Sequence, residues 1–467
     1  ALTGGLAYEG LNDAGDSGEP MVVILNDNEM SISKNVGGIS RHLSLLRLKP
    51  GYFGLKKAYR KFTQSVPGGK WLYKATHQVK AFLKRSLIGT TVFEEMGLTY
   101  LGPVDGHDIQ KMTYLLSVAK EMACPVLLHI ITQKGKGYEP AEMAPQDYHG
   151  VGQFDPEVGI STGRKRETFS QVFGEELTKL ADGDSRICAL TAAMPQGTGL
   201  NIFAKAHPDR FFDVGIAEGH AVTTAAGMAA GGLVPVFAVY STFLQRGYDM
   251  LLHDVALMGN HVVFAVDRAG LVGEDGPTHH GVFDVGYLSQ IPGMTVFTPA
   301  TAAELRQMLT QAIYECTGPV AIRYSRGYCC AEDSLCFTAP GSPLAALVTY
   351  GTLSANVYAA ASMLARQGTP VSVIRLKTLI PLDVDHLLSA LGSAKHLFVI
   401  EDVMDQGSVG QQIAAALSDR GQHISLKRLN LGSAFTQHGN TELLWKHTGL
   451  DAPSICRRVQ EALKNEE

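Results

Sequence analysis

Short apolar runs punctuate the chain, and each stops against polar or turn-forming residues. They are MVVILN (21–26), VLLHII (126–131), RICALTA (186–192), VPVFAVY (234–240), HVVFAVD (261–267), MTVFTPA (294–300), PVAIRYS (319–325), AALVTYG (345–351), VSVIRL (371–376) and HLFVIED (396–402). Runs of this length rich in Val and Ile suit strands buried on both faces of parallel sheets. Between them, AELRQMLTQAIYE (303–315) and NVYAAASMLARQG (356–368) carry apolar residues at helical spacing. Alternation of the two patterns predicts layered α/β structure. Residues 139–166 and 327–344 have Pro, Gly and mixed charge without a period, and read as linkers. Three α/β units follow, at 1–155, 160–330 and 340–467. The first begins inside a loop-helix pattern, and a domain of this type would need further strands upstream to cover its sheet edge.

Polar residues collect where the strands end. In open α/β sheets, ligands bind outside the carboxyl ends of the strands. That marks Asn26 to Ser33, Tyr240 to Arg246, Asp267 to His280 and Arg323 to Arg326 as candidate binding edges. Taken alone, the NDN after the first run is a turn as readily as a ligand set.

Composition narrows the function classes. The chain has 467 residues, 45% apolar and 18% charged, which fits two to four ordinary globular domains. A net charge of −5 argues against a nucleic-acid partner, and no run of 18 apolar residues predicts a membrane span. Seven cysteines without a CxxC pair suit a reduced, cytoplasmic protein with no zinc ribbon. From Arg41 to Arg85 there are twelve Lys or Arg and no Asp or Glu. In an acidic chain that stretch reads as solvated helix faces near a site for anionic ligands.

Eight motifs carry a more specific signal: ILNDNEMSIS (24–33), GPVDGHD (102–108), KGKGYEPAE (134–142), YHGVGQFDP (148–156), FFDVGIAEGHAV (211–222), YSTFLQRGYD (240–249), DRAGLVGEDGPTHHG (267–281) and IRYSRG (322–327). In this order they resemble the 1-deoxy-D-xylulose-5-phosphate synthase family, relatives of transketolase, from Ala1 to about Leu463. The GEDGPTHHG and YSTFLQR segments separate that family from transketolase itself and from pyruvate dehydrogenase. The resemblance implies three successive doubly wound α/β domains of transketolase type, the first incomplete. It also implies thiamine diphosphate and Mg²⁺ as cofactors, pyruvate and D-glyceraldehyde 3-phosphate as substrates, and a homodimer. The product would be 1-deoxy-D-xylulose 5-phosphate, with loss of CO₂, the first step of non-mevalonate isoprenoid precursor synthesis and a source of thiamine.

Residue roles follow from the same resemblance. Asn28 matches the Asn that ends the thiamine-diphosphate motif, and Met30 matches the carbonyl donor to Mg²⁺, a metal that prefers oxygen. The motif's Gly-Asp-Gly would fall immediately before Ala1, which places Ala1 at the diphosphate. Lys134 and Tyr138 would contact the cofactor or its diphosphate. Glu218 matches the family's Glu on N1′ of the aminopyrimidine, with Gly219 where the family usually has Gln. Phe243 would stack on the aminopyrimidine. Tyr240 and Arg246 would line the substrate pocket. Arg268 and Arg326 would grip phosphate by their forks, with Arg323 the alternative to Arg326. His149, His279 and Asp275 would form the acid-base and polar lining. His280 stands where the family usually has Gln, and its role is open. The third unit would be the packing and dimer domain. A second reading is a catalytically inactive truncated fragment that folds and dimerises, because the family's metal-binding Asp precedes the point matched by Ala1.

Overall fold

The computed structural model describes residues 2, 4–30, 37, 38, 40, 42, 43, 91–151, 154–160, 167–339 and 341–464. Ala1 and the basic stretch 41–85, apart from His42 and Leu43, lie outside the described residues. The described strands are β1 (Val22–Asp27), β2 (Thr99–Asp105), β3 (Val126–Ile131), β4 (Ile187–Thr191), β5 (Phe211–Asp213), β6 (Val234–Tyr240), β7 (Val263–Asp267), β8 (Thr295–Phe297), β9 (Val320–Arg323), β10 (Ala345–Tyr350), β11 (Val371–Leu376), β12 (Thr378–Ile380), β13 (His396–Ile400) and β14 (Ser425–Leu429). They form three sheets with orders β1-β3-β2, β12-β8-β9-β7-β6-β4-β5 and β11-β10-β13-β14. Every pairing is parallel except β12 with β8. The chain divides into two compact units, Ala1–Thr162 and Gly163–Glu467.

In the first unit, β1 departs from the expected double-sided burial. Val22 is 38% and Ile24 50% exposed. Among the described residues β1 lies at a sheet edge, and its Val23 and Leu25 side packs against a cluster of Leu11, Phe93, Leu98 and Leu127. β2 was not legible as a strand, because Gly102-Pro103 interrupts its apolar pattern and its register with β3. The stretch 139–166 contains a short helix, Glu139–Met143, where the sequence reads as linker.

In the second unit, β4, β6, β7 and β9 form the middle of the seven-stranded sheet, and β4, β7 and β9 are buried at every position. Buried on both faces, they need Val, Ile, Phe and Ala throughout. Helix 169–183 starts where the Thr168 hydroxyl accepts the Gln171 N–H, and it lays Phe169, Val172, Phe173 and Leu177 on the sheet. Burying each such side chain stabilises by about 1.5–3 kcal/mol. β5 and β12 have three residues each, too short for a periodic signal. β14 alternates polar residues along a sheet edge, SLKRL, and escaped the apolar reading for that reason.

One ion cluster joins helix 302–314 to β11. Glu304, 8% exposed, accepts two bonds from Arg375 at 2.7 and 2.5 Å and one from the Ala300 N–H at 3.0 Å, and Lys377 lies at 3.2 Å. Burial alone would raise its carboxyl, but these partners outweigh burial and hold it at about 2. A carboxylate depressed in the folded state stabilises fully above its unfolded value, and that stability is lost as pH falls through the folded value. Urea midpoints of the wild type should therefore fall between about pH 5 and pH 2 more steeply than those of Glu304→Gln. Parallel acid limbs in the two proteins would show that the cluster does not act this way.

Candidate functional site

The parallel register brings three strand ends side by side. Tyr240 at the end of β6 pairs with Asp267 at the end of β7, and Val266 pairs with Arg323 at the end of β9. The segments leaving these ends carry most of the residues singled out in the second unit.

Tyr240 is the hub. Its ring stacks on Phe243 with centroids 5.7 Å apart, and Phe243 meets the His279 ring edge-on at 5.3 Å. The Arg268 guanidinium lies 4.0 Å over the Tyr240 ring, a cation–π contact. Burial pushes the Tyr240 hydroxyl up, with Asp267 and Asp275 adding to the rise and Arg268 and Arg326 opposing it. A Cβ at Gly197 would sit 1.9 Å from the Tyr240 hydroxyl oxygen, so only glycine fits there.

Arg268 is more committed than the sequence reading supposed. Its Nη1 bonds the Gly197 carbonyl at 2.5 Å and Ser170 Oγ at 3.2 Å, and lies 3.0 Å from Asp267. Asp267 is fully buried and also accepts from Ser170 Oγ at 2.7 Å and from the Arg268 N–H at 2.7 Å. Burial pushes its carboxyl up, while Arg268 and Ser170 oppose the rise. Arg268 holds φ at 62°, and its Nε is buried with no partner among the described residues. Asp267 falls in a candidate binding edge, but Ser170 and Gly197 were missed by the sequence reading, since nothing local in the sequence marks residues that anchor an arginine from separate segments.

Arg323 and Arg326 part company. Arg323 is 3% exposed and forks onto Asp284 with bonds of 2.9 and 3.2 Å. Its guanidinium is thereby committed to the interior. Arg326 is 36% exposed at its side chain, and its Nη1 reaches Asp275 Oδ2 at 2.7 Å and the Val272 carbonyl at 3.0 Å. Asp275, at 38% side-chain exposure, shares this accessible pair.

Glu218 opens helix 218–230 and is 4% exposed. Arg246 reaches toward it from the turn after β6, with Nη1 3.5 Å from Oε2. The Arg246 side chain is 59% exposed, so this contact is loose and screened. At Gly219 a Cβ would meet the Met250 methyl at 2.9 Å, the end of a flexible side chain, so packing does not require glycine there.

In the first unit, Asn28 and Met30 share one tight turn. Asn28 Oδ1 accepts the Met30 N–H at 3.1 Å, Asp27 Oδ1 accepts the Glu29 N–H at 3.1 Å, and Glu29 holds φ at 61°. Asp27 is buried and braced by His129, whose Nε2 lies 3.2 Å away and whose Nδ1 meets the Tyr100 hydroxyl at 2.7 Å. Neither His129 nor Tyr100 was singled out beforehand; they lie 102 and 73 residues from Asp27 and meet it only across the sheet. The turn offers amide and carbonyl oxygens, the donor type that suits Mg²⁺. Lys134 Nζ lies 2.8 Å from His149 Nδ1, and burial lowers the lysine's affinity for its proton. Tyr138 packs with Tyr148 and Phe154 at 5.6 and 6.0 Å, and its hydroxyl bonds the Pro156 carbonyl at 2.8 Å. That bond uses the hydroxyl's proton within the chain and leaves its oxygen able to accept.

Comparison with known proteins adds an independent line. The family model for 1-deoxy-D-xylulose-5-phosphate synthase matches residues 1–132. The transketolase pyrimidine-binding domain matches residues 166–330, and the transketolase C-terminal domain matches residues 341–455. The 1-deoxy-D-xylulose-5-phosphate synthase of Clostridium kluyveri is 43% identical over 481 residues, covering 99% of this chain and 76% of the relative. That of Syntrophomonas wolfei is 43% identical over 471 residues, covering 98% and 74%. Among solved structures, a split-gene transketolase in an inactive β4 tetramer is similar at 26% identity and a TM-score of 0.56. The match covers 64% of this chain and 99% of that one.

Proposed function

The chain belongs to the 1-deoxy-D-xylulose-5-phosphate synthase family, and on that premise we propose that it condenses pyruvate with D-glyceraldehyde 3-phosphate. Carbon dioxide is lost and 1-deoxy-D-xylulose 5-phosphate is formed. The observation that carries this reading is the ring chain Tyr240–Phe243–His279, with the charges of Arg268, Asp275 and Arg326 gathered about Tyr240. The proposed domain division is 1–155, 160–330 and 340–467.

The residues present fit the family's cofactors. Asn28 Oδ1 and the Met30 carbonyl would hold Mg²⁺, with Lys134 toward the diphosphate. Glu218 and Phe243 would hold the aminopyrimidine, Phe243 through a ring that is only partly buried. Thiamine diphosphate, when bound, supplies the nucleophilic carbon and the electron sink for decarboxylation. Glu218, buried at the start of its helix, would exchange a proton with the aminopyrimidine through its carboxyl. His279, wedged against Phe243, moves protons at the substrate oxygens as their charge changes. Arg326 binds the aldehyde's phosphate, and Asp275 sets the angle of its guanidinium. Arg268 adds positive charge from its fixed seat over Tyr240. Arg246 completes the proposed lining in the second unit; His149, in the first, is proposed for an acid-base role from the resemblance alone. The protein is proposed to work as a homodimer; the split-gene transketolase is a homotetramer in the form solved.

The test is direct. Incubated with thiamine diphosphate, Mg²⁺, pyruvate and D-glyceraldehyde 3-phosphate, the chain should release CO₂ and the five-carbon product in equal amounts. Saturable cofactor binding with neither product would overturn the reading. Asn28→Ala should weaken Mg²⁺-dependent cofactor binding in the same titration. Arg326→Leu should raise KM for glyceraldehyde 3-phosphate about 10- to 100-fold, the value of a charged hydrogen bond of about 1.5–3 kcal/mol. KM for pyruvate should stay close to wild type. Equal rises in both constants would remove Arg326 from the phosphate.

A further inference from the structure

His280 is only 2% exposed. It lies in the loop that follows β7, which is closed at its base by reciprocal Gly270 and Gly281 backbone bonds of 2.8 Å each. Inside the loop, His280 Nδ1 lies 3.2 Å from the Val272 N–H nitrogen, and Nε2 lies 3.2 Å from the Gln437 carbonyl oxygen. A backbone N–H only donates and a carbonyl only accepts. Both bonds therefore require one ring form, the neutral imidazole with its proton on Nε2. Val272 passes the constraint on, because its carbonyl accepts Arg326 Nη1 at 3.0 Å, and the same Nη1 meets Asp275 at 2.7 Å.

The loop has little room to relax. The Gly439 N–H bonds the Gly273 carbonyl at 3.3 Å. A Cβ at Gly270 would lie 2.2 Å from Asp402 Oδ2, and one at Gly276 would lie 3.0 Å from the His438 Cβ. Segments 402 and 437–441 thus press on the loop from the C-terminal side of the sequence, with His280 as the bridging side chain.

We propose that His280 is a positioning residue, a neutral imidazole that ties the loop carrying Asp275 and His279 to Gln437 and so fixes the Val272 carbonyl under Arg326. Its consequence for turnover rests on the synthase reading; its consequence for the loop does not. The glutamine usual at this place in the family has the same capacity, one acceptor and one donor on a planar group. The two differ in one respect, since imidazole can take a second proton. The groups facing the ring are His279 and Asp275 on its own loop, and Asp402 and the Gln437 carbonyl on the segments packed against it. Burial lowers its proton affinity and His279 adds to that, while the Gln437 carbonyl, Asp275 and Asp402 oppose. Protonation would place a hydrogen on Nδ1, facing the Val272 N–H, and end that bond. A base whose folded value is lowered keeps its contribution above the ordinary imidazole value of about 6.5 and loses it as pH falls below.

The experiment compares wild type, His280→Gln and His280→Leu by hydrogen exchange of residues 269–281 and by kcat and KM for glyceraldehyde 3-phosphate, across pH. His280→Gln should keep loop protection at neutral pH and turnover within about threefold, while His280→Leu, with one buried hydrogen bond lost at each end, should lose protection and raise KM about tenfold. On acidification the wild-type loop should loosen and the Gln loop should not. A Gln loop as loose as the Leu loop, or identical acid behaviour in wild type and Gln, overturns the proposal. If His280→Leu does not fold, the wild-type and Gln acid comparison decides alone. A protected wild-type loop in a protein without turnover would sink the synthase reading and leave the role of His280 standing.

Discussion

Glu218→Gln is expected to lower kcat about 10²- to 10⁴-fold, the usual yield of one positioned proton-transfer group. The substitution keeps size and hydrogen-bonding capacity and removes only the carboxyl's ability to exchange a proton. Its stability cost should be small. An acid at a helix N-terminus contributes about 0.3–1 kcal/mol. The neighbouring Arg246 is 59% exposed and 3.5 Å away, so it is left in water rather than buried and unpaired. A large fall in kcat beside an unmoved thermal midpoint would separate chemistry from folding. Near-normal turnover in Glu218→Gln would remove Glu218 from the reaction, whatever the family suggests.

Arg323→Met is expected to do the opposite, costing about 3–5 kcal/mol of stability by leaving a buried carboxylate without its partner. Arg323 and Asp284 are 3% and 0% exposed, so water cannot take over for the lost guanidinium. Arg323 also lies 5.4 Å from the Tyr350 ring centroid, which ties the pair to β10. The double variant Arg323→Met/Asp284→Leu should recover most of the loss, because removing both charges also removes their desolvation cost. Denaturant midpoints of the two single variants and the double variant would measure the coupling. A stable Arg323→Met protein with a raised KM for glyceraldehyde 3-phosphate would instead return Arg323 to the phosphate, where the sequence left it as an option.

These two cases show how unevenly the site can be read from the chain. Glu218 could be singled out because a matched motif, GIAEGHAV, surrounds it; the structure places it, buried, at the start of a helix. Arg323 and Arg326 sit three residues apart in IRYSRG and could not be told apart. The difference is that Arg323 is the last residue of β9 and points into the layer that holds Asp284, whereas Arg326 lies beyond the strand. Tyr138 was singled out by its motif for the cofactor or its diphosphate, and what the motif could not show is that its hydroxyl donates to the Pro156 carbonyl, 18 residues away.

The sequence by itself determined the layered α/β class, the positions of β6, β10 and β11, and the strand ends where polar residues gather. Those features are written in local periodicity, because a strand buried on both faces must be apolar along its whole length. The tertiary structure alone decided which arginine is accessible, what seats Arg268, what braces Asp27 and what His280 joins. Each of these depends on partners brought together from distant segments, such as Val272 and Gln437 on either side of one imidazole. Their identity is set by sheet order and loop packing, and no spacing along the chain encodes it.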